Sequence, residues 1–495
     1  MTSASTPTTA PPQDIASALH IIDGERRPAS SGEVMDVISP IDGNVLTTMP
    51  KGTRDDADAA IAAARAAFDD GRWSDLAPVA RKKVLLKWAA LIEENAKELA
   101  TLGVKNNGTE IGMALKAEPM SAAGTIKYFA EAVDKIFGEI APTGTGNLGL
   151  VHKQPVGVVG AIVPWNFPLM IGTWKLGPAL AAGCTVVLKP AETASLTLVR
   201  LAELALEAGM PAGVFNVVTG EGGTVGAAIA ESHDVDVLVF TGSGATGRRL
   251  MQASAASNMK RVYLELGGKS PNIVFADAPN LDEAAKTSAH GIFRNSGQVC
   301  IAGSRLLVER SIHDDFVAKL KTHAEAMVVG NPLDANTTSG AVNSKPQLEQ
   351  NLSFVKRAVD EGATLVTGGQ RILEETGGYY MQPTILTDVK PNDFIAQEEV
   401  FGPVLVVIPF DTEEEALAIA NGTKYGLASA VWTENLSRAH RMVRKLHAGV
   451  VHVNTYGGAD VTVPLGGVKQ SGNGHDKSLH AFDKYLELKT AWFKL

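Results

Sequence analysis

The stretch NSGQVCIAGSR, residues 295–305, carries one of only two cysteines in a chain of 495 residues. A thiol does nucleophilic work only as its thiolate and where a substrate reaches it, whereas most free cysteines are small buried hydrophobes. Small and polar neighbours place Cys300 on a loop, and the residues alone leave both readings open. A second stretch, FTGSGATGRRL, follows the apolar run VDVLVF and leads into a helix-like segment. Its Gly242, Gly244 and Gly247 satisfy G-x-G-x-x-G. That spacing lets backbone N–H groups and a helix N-terminus approach a pyrophosphate, although an ordinary strand–helix turn reads the same way. The dinucleotide pattern also needs an acid for a ribose hydroxyl. Glu265 lies 23 residues past Gly242, at the customary distance. The glycine loop, however, follows three earlier strands of its block, which makes Glu192 the better ribose acid. Glu192 stands just past the end of the strand-like CTVVL, with Lys189 beside it to donate to the same ribose. A carboxylate there repels a 2′-phosphate and favours NAD over NADP. Glu265 is then free for other chemistry.

Five stretches share one order: PWNFP (164–168), LELGGKSP (264–271), GQVCIAGSR (297–305), EEVFGPV (398–404) and GGVKQSGNG (466–474). In that order and at that spacing the chain resembles the aldehyde dehydrogenase superfamily, from about residue 20 to its end. The tail GGVKQSGNGHDKSLHAF, with LELKTAW after it, is most similar to the branch that oxidises amine-derived aldehydes, such as γ-glutamyl-γ-aminobutyraldehyde. The resemblance implies Cys300 as nucleophile, Glu265 as general base and Asn166 as oxyanion donor together with the backbone N–H of Cys300. It implies Lys175 in a proton relay around the base. It also implies a cofactor site of Trp165, Lys189, Glu192, Gly242, Ser243, Gly247, Glu399 and Phe401, the last two toward the nicotinamide ribose. NAD is the implied cofactor, no metal is expected, and a homodimer or homotetramer is the implied assembly. Aldehyde oxidation needs a thiolate to form a tetrahedral adduct, fixed donors for the oxyanion, and a carboxylate to activate water against the resulting thioester.

The elements that must position these groups are visible in the patterning. TRDDADAAIAAARAAF starts with the N-cap candidate Thr53 and first-turn acids. VLLKWAALIEENAKEL places Val84, Leu85, Trp88, Leu91 and Ile92 on one helical face. From Gly157, the short apolar runs GVVGAIVP, CTVVLKP, VFNVVTG, VDVLVFTG and NIVF alternate with helical segments such as ASLTLVRLAELALEAG. A second alternating block follows Cys300, through SRLLVERSI, DDFVAKLKTHAEAM, GATLVTGG, PVLVVIPF and AGVVHVN. Apolar strands alternating with helices imply parallel sheets covered on both faces. The expected fold is therefore α/β, a Rossmann-type cofactor domain beside an α/β catalytic domain, with the small oligomerisation arm that the resemblance adds. The expected boundaries are a disordered tail over 1–20, a cofactor domain over 21–132 and 156–267, a catalytic domain over 268–477, and an arm over 133–155 and 478–495. The tail KYLELKTAWFKL alternates and wants a partner edge.

Composition excludes some partners. With 54 acidic against 45 basic residues, the net charge of −9 offers no face for nucleic acid or anionic membranes. Two cysteines make no disulfide framework, and the apolar run from Gly157 to Leu188 is broken by prolines and Lys175, so a cytoplasmic, soluble protein is expected. Cys184 opens an apolar run and reads as a core thiol. The leading expectation is NAD-dependent oxidation of an aldehyde to its acid. A CoA-acylating semialdehyde dehydrogenase is one alternative, opposed by Glu265; a catalytically silent protein of the same fold is another. Three departures bear on substrate. Leu465 stands where tunnel aromatics are common, Gly457, Gly458 and Ala459 suggest a roomy entrance, and Arg294 replaces a large aromatic. His475 with Asp476 replaces a more usual Arg-Glu pair, and the stretch 104–112 departs from the pattern expected of an amine-binding loop.

Overall fold

The computed structural model describes residues 15–458 and 460–495. Two seven-stranded sheets organise the chain. The first has the spatial order Arg261–Glu265, Val237–Thr241, Val158–Ile162, Thr185–Lys189, Phe215–Val217, His20–Ile22, Glu25–Arg27. Its first five strands are parallel, and the last two form an antiparallel hairpin on the edge. Three strands run outward from Val158–Ile162 in one direction and two return on its other side. The order therefore reverses between Val158–Ile162 and Val237–Thr241, where open α/β sheets leave a ligand crevice beyond their strand C-termini. The second sheet runs Thr364–Thr367, Thr384–Thr387, Val404–Phe410, Arg305–Glu309, Pro271–Val274, Ala428–Trp432, Val450–Val453, parallel except at Thr364–Thr367. The run NIVF expected with the early strands belongs to this second sheet. The chain leaves the first sheet at Glu265 and enters the second at Pro271, so the segment between them spans the gap where two layers meet.

Helices cover both sheets as the apolar strands require. Arg54–Asp69 begins at Thr53, whose hydroxyl accepts from the Asp56 N–H in a capping box. Leu85, Trp88 and Ile92 of Pro78–Glu94 are fully buried, as their spacing predicts. The would-be membrane run resolves into the strand Val158–Ile162, a turn and the buried helix Pro168–Ala182. No described helix is long and apolar enough to cross a membrane.

One expectation needs correction. Of the tail expected to be disordered to residue 20, residues 1–14 lie outside the described residues, but the remainder is tied down. The Ala18 N–H donates to the Thr48 carbonyl at 2.9 Å, the Thr47 hydroxyl donates to the Ile15 carbonyl at 3.0 Å, and His20 already opens a strand. The C-terminal run pairs on one side within the chain: Leu486–Lys494 pairs antiparallel with Asn147–Pro155, which pairs with Glu139–Ala141. Its other side is the edge of this three-stranded sheet, on which Ile140, Leu488, Trp492 and Phe493 are exposed.

Candidate active site

Cys300 follows a turn that only strong local restraint can hold. Asn295, Ser296 and Gly297 take φ of 49°, 51° and 74° in succession, and the first two are not glycines. Each left-handed non-glycine residue costs about 1–3 kcal/mol unless its surroundings over-determine it. They do so here. The Thr109 hydroxyl donates to Asn295 Oδ1 at 2.8 Å, the Asn295 N–H donates to Glu110 Oε1 at 3.1 Å, and Ser296 Oγ donates to the Gly340 carbonyl at 2.7 Å. A Cβ on Gly297 would stand 2.0 Å from the Gly402 carbonyl oxygen, so the turn is pressed against the loop that carries Glu399 and Phe401. Thr109 and Glu110 were read from the sequence only as a loop departing from an amine-binding pattern. The structure makes them the buttress of the cysteine turn, a role no local spacing announces.

Cys300 itself is only partly covered, while Cys184 is fully enclosed and donates its thiol to the Tyr485 carbonyl at 3.4 Å. Burial and the carboxylates of Glu265 and Glu399 push the Cys300 thiol up to about 12, while the backbone N–H groups of Ile301 and Cys300 pull it down. Glu265, 5% exposed, ends the edge strand of the first sheet, and its Oε1 has no hydrogen-bond partner among the described residues. Burial, then the Asp476 carboxylate, hold its carboxyl well above the ordinary range; Lys175 and Lys484 oppose them. Lys175, on Pro168–Ala182, is ion-paired with Asp476, whose other oxygen accepts from Lys484. All three are buried, so the base sits beside a closed cluster of two cations and one anion. Sequence reasoning assigned Lys175 here but missed Lys484 and gave Asp476 no place beside the base. The strand His475–Asp476 carries that aspartate inward and turns His475 out to solvent.

Asn166, in the turn after Val158–Ile162, donates Nδ2 to the Gln298 carbonyl at 2.9 Å, two residues before Cys300. That bond anchors the side chain at the Cys300 turn and uses one of its two amide hydrogens. Asn295 Nδ2 in turn donates to the Asn166 carbonyl at 3.3 Å.

Trp165, Lys189, Glu192 and Gly242, assigned to a cofactor, lie at or just beyond strand C-termini of the first sheet. Lys189 Nζ donates to Glu192 Oε1 at 2.9 Å, and the Gly222 N–H donates to the same oxygen at 2.6 Å, so neither bond uses Oε2. Burial works against the Glu192 carboxylate, but the Lys189 ammonium holds it below its usual value and keeps it charged. The three motif glycines divide the work unequally. A Cβ on Gly242 would stand 2.5 Å from the Phe240 ring, which would have to shift, and one on Gly247 would stand 3.1 Å from Leu266, a tight fit that a small movement of that side chain relieves. Only Gly244 opens outward, with nothing nearer than Arg248 Nη1 at 3.4 Å. Ser243 caps the helix Gly244–Ala256, its hydroxyl accepting from the Thr246 N–H at 3.3 Å. The Gly242 N–H donates to the Glu265 carbonyl at 3.0 Å, which ties the glycine loop to the base.

On the far side, Glu399 Oε1 accepts from the Gly268 N–H at 2.9 Å, and burial pushes its carboxyl up to about 7. Any side chain on Gly267 would collide with this carboxylate. Trp165 and Phe401 meet edge to face, with centroids 5.2 Å apart. An acid at Glu192, a helix N-terminus at Gly244, the aromatic pair Trp165–Phe401 and a second acid at Glu399 are groups of the kind that a dinucleotide needs. Among the described residues no group of three or more His, Cys, Asp or Glu could hold a metal ion.

The aldehyde dehydrogenase family pattern matches residues 27–491. The chain belongs to this family. It is 50% identical over 474 residues to the NADP/NAD-dependent aldehyde dehydrogenase PuuC of Escherichia coli, covering 96% of this chain and 95% of that one. A crystal structure of indole-3-acetaldehyde dehydrogenase with NAD+ superposes with a TM-score of 0.95 at 54% identity, covering 97% of each chain. The γ-glutamyl-γ-aminobutyraldehyde dehydrogenase of Burkholderia cenocepacia also superposes at 0.95, with 53% identity and the same coverage.

One expected feature of the entrance differs. Gly457 does not leave the roomy mouth its lack of a side chain suggests, because the Arg294 guanidinium fills that space, with Nη2 2.8 Å from where a Cβ would be. Ala459 lies outside the described residues. Leu465 packs with Phe167, Ile171, Trp174 and Phe293 in an apolar wall next to the nucleophile loop.

Proposed function

We propose that this protein oxidises aldehydes to carboxylic acids with NAD, through a covalent adduct on Cys300. The observation that supports the reading is that Glu265 lies close enough to raise the Cys300 thiol while Asn166 bonds the turn that presents it, with Glu192 and the Gly244 helix N-terminus just beyond strand ends of the first sheet. NAD, when bound, supplies the hydride acceptor. The chain's own residues do the rest. Glu192 holds the ribose, Glu399 and Phe401 position the nicotinamide end, and Cys300 attacks the carbonyl carbon. Asn166 Nδ2 and the Cys300 N–H stabilise the oxyanion, each such donor being worth roughly 3–4 kcal/mol of barrier. Once the thioester has formed, Glu265 takes a proton from water as that water attacks. Lys175 and Asp476 pass charge and proton away from the base. The relatives named for amine-derived aldehydes support substrates of that kind or extended aliphatic aldehydes. The exposed Ile140, Leu488, Trp492 and Phe493 support a homodimer or homotetramer built on the small sheet, in a reducing cytoplasm.

The test is NADH formation across an aldehyde panel with and without CoA, together with Cys300→Ala. CoA-independent acid formation in the wild type is expected. In Cys300→Ala, turnover should vanish while NAD still binds in equilibrium titration, because no cofactor contact depends on the thiol. Residual turnover above about one hundredth of wild type would refute the assignment.

A further inference from the structure

Arg294 ends the helix Leu281–Phe293 and begins the turn that presents Cys300. Its side chain is largely covered, yet among the described residues it makes neither an ion pair nor a hydrogen bond, and Nε is buried with no partner. A shielded cation is ordinarily paired, because removing it from water without an anion costs several kcal/mol. The groups around it do not supply that anion. Burial lowers Arg294 below its usual value, and Tyr456, Cys300 and Glu110 raise it in that order. Tyr456 is a phenol, already committed to donating its hydroxyl to the Ile301 carbonyl at 2.7 Å. Cys300 is a thiol held in its neutral form. Glu110 accepts from the Asn295 N–H, and burial raises its carboxyl toward neutrality. His290, on the same helix, is a further titratable neighbour, and burial and then Arg294 disfavour it as a cation.

Position completes the argument. The guanidinium lies over Gly457, whose φ of +75° and missing side chain leave it the space. Gly457 follows Tyr456, and Tyr456 grips the residue after the nucleophile. Arg294 therefore stands beside Cys300, whose thiol acts on its charge, within reach of the chain of an aldehyde held at that thiol.

We propose that Arg294 receives a carboxylate borne by the aldehyde at the end remote from its carbonyl, making this enzyme selective for ω-carboxylate aldehydes. This rests on the aldehyde-oxidising reading above. A planar fork with free N–H groups suits a bidentate carboxylate, and charge-assisted bonds of that kind are about twice as strong as neutral ones. The experiment compares matched pairs: 5-oxopentanoate against pentanal, and 6-oxohexanoate against hexanal. The wild type should favour the carboxylate member of at least one pair by roughly 10- to 100-fold in kcat/KM. Arg294→Leu should collapse that ratio toward one through KM of the carboxylate member, and Arg294→Lys should retain part of it. Equal kcat/KM within pairs in the wild type overturns the proposal without any variant. So does an Arg294→Leu enzyme in which both members fall together while the pH profile of iodoacetamide alkylation moves upward, since that makes Arg294 a support for the thiolate. A wild type that oxidises none of the four would instead refute the aldehyde-oxidising reading itself.

Discussion

Replacing Glu265 with Gln removes one function and little else. The two side chains are isosteric, and Oε1 has no protein hydrogen-bond partner to lose. The change removes a carboxylate from the vicinity of Cys300, one of the two that push its thiol up, so adduct formation should be no slower. Hydrolysis of the thioester, by contrast, loses its general base. Such bases are worth about 10²- to 10⁴-fold, or roughly 2.7–5.4 kcal/mol at 1.36 kcal/mol per tenfold. Rapid mixing with an aldehyde and NAD should show a burst of one NADH per Cys300, followed by a steady state slowed by that factor. The pH dependence has a definite sign. Glu265 works only when deprotonated, and burial with Asp476 holds its carboxyl well above the ordinary range. Wild-type hydrolysis therefore rises with pH through that raised value, and Glu265→Gln should lose this limb. Two outcomes refute the reasoning. A variant turning over within tenfold of wild type means that another group activates water. Loss of NAD affinity with normal single-turnover chemistry makes Glu265 the ribose acid.

Two further outcomes test the surroundings. Glu192→Ser removes the charge facing the ribose 2′ position and frees Lys189, so the ratio of kcat/KM for NAD over NADP should fall about tenfold or more; equal values for both cofactors in the wild type would refute the role. Asp476→Ala leaves Lys175 and Lys484 buried without their anion and should cost about 3–5 kcal/mol in urea unfolding at pH 7. Lys175 and Lys484 hold the Asp476 carboxyl below its usual value against burial, so its stabilisation is present above the unfolded pKa and is lost as pH falls through the folded one. The deficit of the variant should accordingly narrow in acid, and a deficit below about 1 kcal/mol at pH 7 would show that the cluster does not need its anion.

Much of this architecture is local in origin, which is why sequence carries it. The capping box at Thr53, the buried face Leu85–Trp88–Ile92 and the glycine-closed helix Leu196–Glu207 each depend on residues within a turn or two of one another. The alternating apolar runs from Gly157 are legible for the same reason, and the late place of Val237–Thr241 separates Glu192 from Glu265 by topology alone. What escapes is everything that depends on distant segments meeting. Thr109 and Glu110 touch Asn295 across some 185 residues, and Asp476 reaches Lys175 across 301. Neither pairing leaves a periodicity. The entrance fails for a related reason: a glycine announces missing volume, not which neighbour fills it, and Arg294 fills it from a helix end more than 160 positions earlier.

The same long-range contacts explain why the two reacting groups do not drift apart. Cys300 is presented from the second sheet's side of the gap and Glu265 from the last strand of the first. Glu265 is held by its carbonyl, which accepts from the Gly242 N–H, and the Leu266 N–H after it donates to the Ser471 carbonyl. Two residues further on, the Gly268 N–H donates to Glu399, and Gly297 presses on the backbone of Gly402. Glycine loop, base, nicotinamide-side acid and nucleophile turn are thereby one chain of short backbone contacts, with glycine wherever a side chain would wedge it open. Electrostatics then couples what the backbone joins: a carboxylate at Glu265 raises the Cys300 thiol, so the two protons are not lost independently. Ionising the thiol is easiest while Glu265 is protonated, whereas activating water needs Glu265 ionised after the sulfur has become a neutral thioester. On the proposed mechanism, one pair of mutually repelling acids favours the nucleophile in the first half of the reaction and the base in the second.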